Sequence, residues 1–322
     1  MHKPVLLKEI VECLNPKPGQ KFIDATINGG GHAMAILEMI LPDGKLLGIE
    51  WDGELLKQLI IKKQDLGIKD ENLILINDSY VNLKKIAEEN DFTDANGILF
   101  DLGMSSWQIE EAGRGFTFMK DEPLDMRFAY PNINHQPSTA SPTTAEEIVN
   151  RYSYDELVKI LKEYGEERFA RLIVANIINA RKRKPIKTTF ELVEIIKKSV
   201  PFWYRSDRRR LHFATKTFQA LRIAVNDELE NLKSGLEQGM EILKVGGRIA
   251  VISFHSLEDR AVKNFFRAKA KEKILKIITK KPINAELAEI IKNPRARSAK
   301  LRIAEKESRT RQVMLSEHYR IK

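Results

Sequence analysis

The chain is predicted to form an α/β protein, a doubly wound parallel sheet interrupted by an all-helical insertion. Five short apolar runs bounded by Gly, Asn or Asp read as buried parallel strands: KFIDAT at 21–26, KLLGIE at 45–50, NLILIND at 72–78, NGILFDLG at 96–103 and GGRIAVISF at 246–254. The segments between the first four are long enough for crossover helices, which makes a βαβ series. The stretch from 104 to about 245 is too long for one crossover and carries helix starts instead.

The first run leads into DATINGGGHA at 24–33, which sets Gly29, Gly30 and Gly31 between a strand and the helical run at 34–37. In an open α/β sheet ligands sit beyond the carboxyl ends of the strands, and glycine, lacking Cβ and tolerating positive φ, lets the first turn approach them. A plain tight turn is the alternative. A dinucleotide loop of G-x-G-x-x-G spacing counted from Gly29 would end at position 34, which is Met34, so the phosphate reading is weak.

Glu50 ends the second run, where a carboxylate can accept from both hydroxyls of a ribose, and Asp101 ends the fourth at the same edge. Each taken alone reads equally as a solvated strand end. S-adenosylmethionine has a ribose, an adenine and an amino acid but no phosphate, so glycine backbone with acidic strand ends suits it. Tyr80, after the third run, either stacks on adenine or packs on its own helix. His32, where helical N–H groups favour a carboxylate, either serves such a ligand or caps the helix.

After the Pro/Ser/Thr-rich stretch at 130–144, a linker or ordered loop, come three capping boxes: Thr144 with Glu147, Ser153 with Glu156, and Thr188 with Glu191. Phe169, Leu172, Ile173 and Ile177 are expected on one helix face. Basic residues gather at 179–187 and 204–216, the second interleaved with aromatic rings beside Trp203, as an RNA surface would be; a solvated charged face is the alternative. The stretch 293–302 adds expected phosphate contacts, and 305–322 lacks a core pattern and is expected to be mobile.

At 322 residues the chain should form about two domains at roughly 150 residues each. A formal charge of +9 favours a polyanionic partner. One cysteine, Cys13, excludes an internal disulfide framework and a Cys-based zinc site, and the six histidines are too scattered for metal spacing, so no metal is expected. There is no signal segment and no run of ~18 apolar residues, so the sequence reads as cytoplasmic, with no membrane partner.

HKPVLLKEI, DATINGGGHA, FDLGMSSWQIEEAGRGFTF, PLDMRF, ATKTFQALRIAVNDEL, GGRIAVISFHSLEDR and NPRARSAKLR, in that order from residue 2 to about 302, resemble the signatures of the bacterial 16S rRNA cytosine-N4 methyltransferase family. The resemblance implies a class I (Rossmann-like) S-adenosylmethionine-dependent methyltransferase sheet at 1–110 and 213–306, a helical RNA-recognition insertion at 111–212 and a tail at 307–322. It implies a cytidine of the decoding region as substrate, the small ribosomal subunit as partner, and Gly30, Gly31, His32, Glu50, Tyr80, Asp101 and Gln108 on the cofactor. The oligomeric state stays open, with a homodimer among the options. Three residues depart from the family pattern: Asn28 stands in place of glycine, Glu50 in place of aspartate and Ala33 in place of serine. Asn tolerates positive φ and Glu keeps the charge, so binding should survive, while Ala33 gives up one helix-start hydrogen bond.

The chemistry asks mainly for alignment of a weakly nucleophilic amine with an acceptor for its proton. Candidates for that chemistry are Asp101, Ser105 and His255, with Ser106 as a further pocket residue; Arg114, Asp125, Arg127, Arg208, Arg209 and Arg210 are candidates for RNA, with Phe116 and Phe118 as stacking or core rings. Other readings are a catalytically silent RNA-binding assembly factor and a methyltransferase acting on DNA or protein.

Overall fold

The structure, a computed structural model, describes residues 4–128, 143–206 and 211–308. The chain divides into two compact units, Met1–Gly103 with Asn231–Lys322, and Met104–Glu230.

In the first unit β1 (Lys21–Asp24), β2 (Lys45–Glu50), β3 (Leu73–Asn77), β4 (Ala95–Asp101), β5 (Leu243–Ser253), β6 (Leu275–Ile277) and β7 (Lys300–Lys306) form one sheet in the order β3-β2-β1-β4-β5-β7-β6. The first five are parallel and β7 runs antiparallel to both β5 and β6. Apolar side chains leave both faces: Ile23, Leu47, Ile98 and Val251 pack into one core, and Phe22, Leu46, Leu99 and Ile252 into the other. Successive strand residues point to opposite faces, so a sheet covered on both sides needs continuous apolar runs.

Helices α1 (Leu7–Leu14), α2 (Gly31–Ile40), α3 (Gly53–Asp65) and α4 (Leu83–Glu89) accompany the first four strands. In the second unit lie α5 (Ser106–Glu110), α6 (Ala145–Arg151), α7 (Tyr154–Glu163), α8 (Ala170–Arg181), α9 (Thr189–Ser199), α10 (Phe202–Ser206) and α11 (Thr215–Asn226). Then follow α12 (Glu228–Ile242), α13 (Ser256–Lys271) and α14 (Leu287–Lys292). The capping boxes at Thr144, Ser153 and Thr188 all form. The second unit begins before 111 and ends after 212, so α5 and α11 pack within it.

Two expectations are corrected. Leu172 is 54% exposed, because the buried stripe of α8 is Ala170, Ile173, Val174 and Ile177 at the i, i+3, i+4, i+7 spacing. Residues 300–306, where the expected phosphate strip of 293–302 and the expected tail from 305 meet, form β7, with Leu301 and Ile303 fully buried, so the tail begins no earlier than 307. Arg302 is buried and held by Asp259 at 2.6 and 3.2 Å, and the more exposed Lys300 lies 3.6 Å from the same carboxylate. Residues 309–322 of the expected tail lie outside the described residues.

Ile303→Ala should therefore destabilise the protein by about 2–5 kcal/mol in urea unfolding, where a substitution in a solvated tail would leave the midpoint unmoved.

Candidate functional site

The parallel register brings three carboxylates to the carboxyl edge of the sheet. Asp24 pairs with Gly48 of β2 and Leu99 of β4, so Glu50 and Asp101 both stand two residues further along, level with Thr26. Thr26 ties this edge together: its Oγ1 accepts the Asp101 N–H at 2.6 Å, and its own N–H donates to Asp24 Oδ1 at 3.2 Å. Asn28 takes φ 48°, the left-handed region that Asn tolerates best among non-glycine residues, and its side-chain amide donates to the carbonyls of Thr26 and Asp101 at 2.9 and 3.2 Å. The departure at Asn28 thus costs the turn little and adds two bonds.

The glycines meet a demand of the chain itself. Gly30 has φ +75°, and a Cβ there would lie 2.9 Å from Leu59 Cδ2, while one on Gly31 would lie 3.0 Å from the Pro4 ring. Gly30 is the N-cap of α2 and, having no side chain, leaves that helix start without a side-chain cap.

Asp24, Glu50 and Asp101 are all buried, as is His32. Burial pushes the Asp24 carboxyl up to about 7, with the His32 charge opposing the rise and Asp101 adding to it. Burial likewise lifts Glu50 to about 8, against the N–H groups of Asp52 and Asn28 that donate to it. The His32 ring spans the site: Nε2 meets the Val5 carbonyl at 2.8 Å and Nδ1 lies 3.4 Å from Asp101 Oδ2. A carbonyl only accepts, so Nε2 carries a hydrogen, and the contact between Nδ1 and Asp101 is favourable only with a proton between them. Burial opposes protonation of His32, but the hydrogen bond and charge of Asp101, with Asp24 and the Val5 carbonyl, outweigh it and hold the imidazole above its ordinary value. Among the described residues the other carboxylate oxygen of Asp101, Oδ1, is buried without a hydrogen-bond partner.

Sequence reasoning missed Asp24 although it opens the glycine motif; the signal was the strand register, which sets it beside Asp101. Tyr80 is half-buried, edge-on to Phe100 with centroids 5.7 Å apart, and a Cβ on Gly235 would lie 2.7 Å from its ring. His255 is the N-cap of α13: Nδ1 accepts the Glu258 N–H at 3.4 Å, and Nε2 lies 3.2 Å from Glu258 Oε1, out of line for a hydrogen bond.

In the second unit, Ser105 and Gln108 form a capping box at α5, each side chain bonded to the other's backbone N–H. Asp125 and Arg127 are paired at 2.6 and 2.7 Å. Arg114 is buried, donates to the carbonyls of Arg127 and Phe128, and lies over the Trp107 and Phe116 rings at 5.4 and 5.7 Å. Phe116 stacks on Phe128 and Phe118 on His212, so both serve the core of this unit. Arg208, Arg209 and Arg210 lie outside the described residues.

Five parallel strands, a reversed β7 inserted before β6, a glycine turn after β1 and buried acids at the carboxyl edge define a class I methyltransferase. Residues 1–307 match the MraW methylase family, and the chain belongs to it. It is 42% identical over 316 residues to the ribosomal RNA small subunit methyltransferase H of Syntrophotalea carbinolica, covering 94% of this chain and 96% of that protein. It is 45% identical over 307 residues to the protein of the same name from Dictyoglomus thermophilum, covering 95% and 97%.

The pH dependence of stability follows from the buried acids. Asp24 and Glu50 keep protons in the folded chain at pH values where the unfolded chain, with ordinary values of 3.8 and 4.5, has lost them, so stability falls as pH rises through about 7 and about 8. The raised value of His32 acts in the same direction, its contribution being lost as pH rises through it. The melting temperature of the ligand-free protein should decline from pH 5 to 9, and Glu50→Gln should flatten the decline, recovering about 2–4 °C for each kcal/mol at the alkaline end.

Proposed function

We propose that the protein transfers the methyl group of S-adenosylmethionine to the exocyclic N4 of a cytidine in the decoding region of 16S rRNA, in the cytoplasm. What carries this reading is the likeness to ribosomal RNA small subunit methyltransferase H over 94% and 95% of the chain in two relatives. Among the described residues no helix is long and apolar enough to cross a membrane.

The residues present fit the cofactor. Asp101 Oδ1 is a buried acceptor with no bond of its own, and Glu50 offers a carboxylate at the end of β2 for ribose hydroxyls. Gly30 and Gly31 contribute backbone and Tyr80 an aromatic edge beside adenine. His32 acts through Asp101, fixing the carboxylate from the Oδ2 side. When bound, the cofactor supplies an electrophilic sulfonium methyl. Cytosine's N4 lone pair is delocalised into the ring, so the protein's part is to hold the amine in line and accept its proton.

Of the three candidate acceptors, Ser105 Oγ and His255 Nδ1 are committed to helix caps. Because Nδ1 accepts there, the His255 ring hydrogen sits on Nε2, which cannot accept, whereas Asp101 Oδ1 is unpartnered and has two lone-pair sites, one for the cofactor and one for the amine. We therefore assign the amine's proton to Asp101. Asp125, Arg127 and the run 208–210 are read as RNA contacts, with Arg114 shaping the loop of the first two through the Arg127 and Phe128 carbonyls. A stacked or paired target base must first be turned outward.

A strain lacking the gene should lose N4-methylcytidine from its small-subunit rRNA in nucleoside mass spectrometry, and an unchanged level would exclude the assignment. Asp101→Asn should lower kcat by about 10²–10⁴-fold in a methyl-transfer assay. His255→Asn, which preserves a cap, should stay near the parent rate, and His255→Ala should cost about 0.5–2 kcal/mol of stability.

A further inference from the structure

On the helical unit, α10 exposes two large rings: Phe202 is 72% and Trp203 48% accessible. Each has an arginine laid against it. The Arg168 guanidinium carbon lies 5.7 Å from the Trp203 centroid and 5.7 Å from that of Phe169, and the Arg205 carbon lies 5.6 Å from that of Phe202.

The patch is braced from beneath. Phe169 meets Trp203 and Tyr204 edge to face at 5.9 and 4.9 Å, and the Tyr204 hydroxyl donates to the buried Glu167 at 3.1 Å. Arg205 is anchored by a bond to the Lys197 carbonyl at 3.0 Å. The nearby carboxylate of Glu194 is held by Lys197 at 2.9 Å, and with Lys198 and Arg205 also acting on it three cations face one carboxylate, which leaves positive charge in excess beside the rings.

Exposed rings interleaved with arginines, on a support that does not let them collapse inward, match the requirements of an unstacked nucleobase: a π face to stack on and a cation for the adjoining phosphate. We propose that Phe202 and Trp203, with Arg168 and Arg205, form a stacking platform for unpaired nucleotides of the RNA substrate. The proposal rests on the rRNA reading above and adds where and in what state the RNA is gripped. A paired helix offers few free base faces, so single strands are preferred to duplex.

The test uses the full chain and a fluorescently labelled twelve-nucleotide pyrimidine-rich RNA, single-stranded or annealed to its complement, followed by anisotropy at several salt concentrations. Phe202→Ala and Trp203→Ala should each weaken single-strand binding about ten-fold, in line with ~1–3 kcal/mol per stacked base. Arg168→Ala and Arg205→Ala should weaken it with a shallower salt dependence, and duplex should bind less tightly than single strand. S-adenosylmethionine affinity by calorimetry should match the parent in all four, which also reports folding. With small subunits as substrate, KM should rise and kcat stay. Unchanged RNA affinity and KM in both aromatic variants would overturn the platform while leaving the methyltransferase assignment intact. Equal binding of duplex and single strand without dependence on the rings would reduce the patch to charge alone and overturn it as well. A parent that binds this RNA through the rings yet methylates no subunit would retain the platform and overturn the rRNA assignment.

Discussion

The structure turns on the cost of keeping carboxylates out of water at the end of a parallel sheet. Burying an unpaired charge is expensive, and proteins meet that cost by neutralising the group or surrounding it with donors. Here both occur: Asp24 and Glu50 retain protons to about 7 and about 8, while Asp101 is approached by His32 and by the backbone around Thr26. In the function proposed, a sulfonium nucleoside with an ammonium group is the ligand brought to this edge. The same desolvation would strengthen the hold of any of these acids that ionises on a cationic ligand, because opposite charges attract more strongly where water is scarce.

That arrangement depends on distant parts of the chain being held in register. The Val5 carbonyl orients His32, Pro4 fills the space beside Gly31, and Leu59 fills that beside Gly30. The N-terminal residues are thus part of the site's support, which explains why a glycine run beside a strand carries meaning only with its packing partners. The same economy governs the helix caps. Ser105 and His255 sit in motifs that look catalytic by composition, and both give their side-chain acceptors to exposed N–H groups of a following helix.

The helical unit shows a different use of polar groups. Arg114 is buried against two rings and two carbonyls, and Arg127 is paired with Asp125, whereas Arg168 and Arg205 lie on exposed rings at the surface. Sequence makes these arginines look alike. Burial separates those that organise a loop from those left facing solvent.

Five parallel strands, the three capping boxes of the insertion and the acids ending β2 and β4 were legible in the sequence alone, because strand burial, helix capping and strand-end chemistry are written in local spacing. Long motif blocks carried the family. Tertiary structure decided the rest. β7 hid because its charges find distant partners, Lys300 and Arg302 at Asp259, 43 positions from Arg302 in the chain, and Glu305 at Arg248. Asp24 joined the site only through strand register, and Leu172 left its helix's core face because packing selects one of two adjacent stripes. Those outcomes depend on which distant groups meet, and a chain's local spacing contains no record of that meeting.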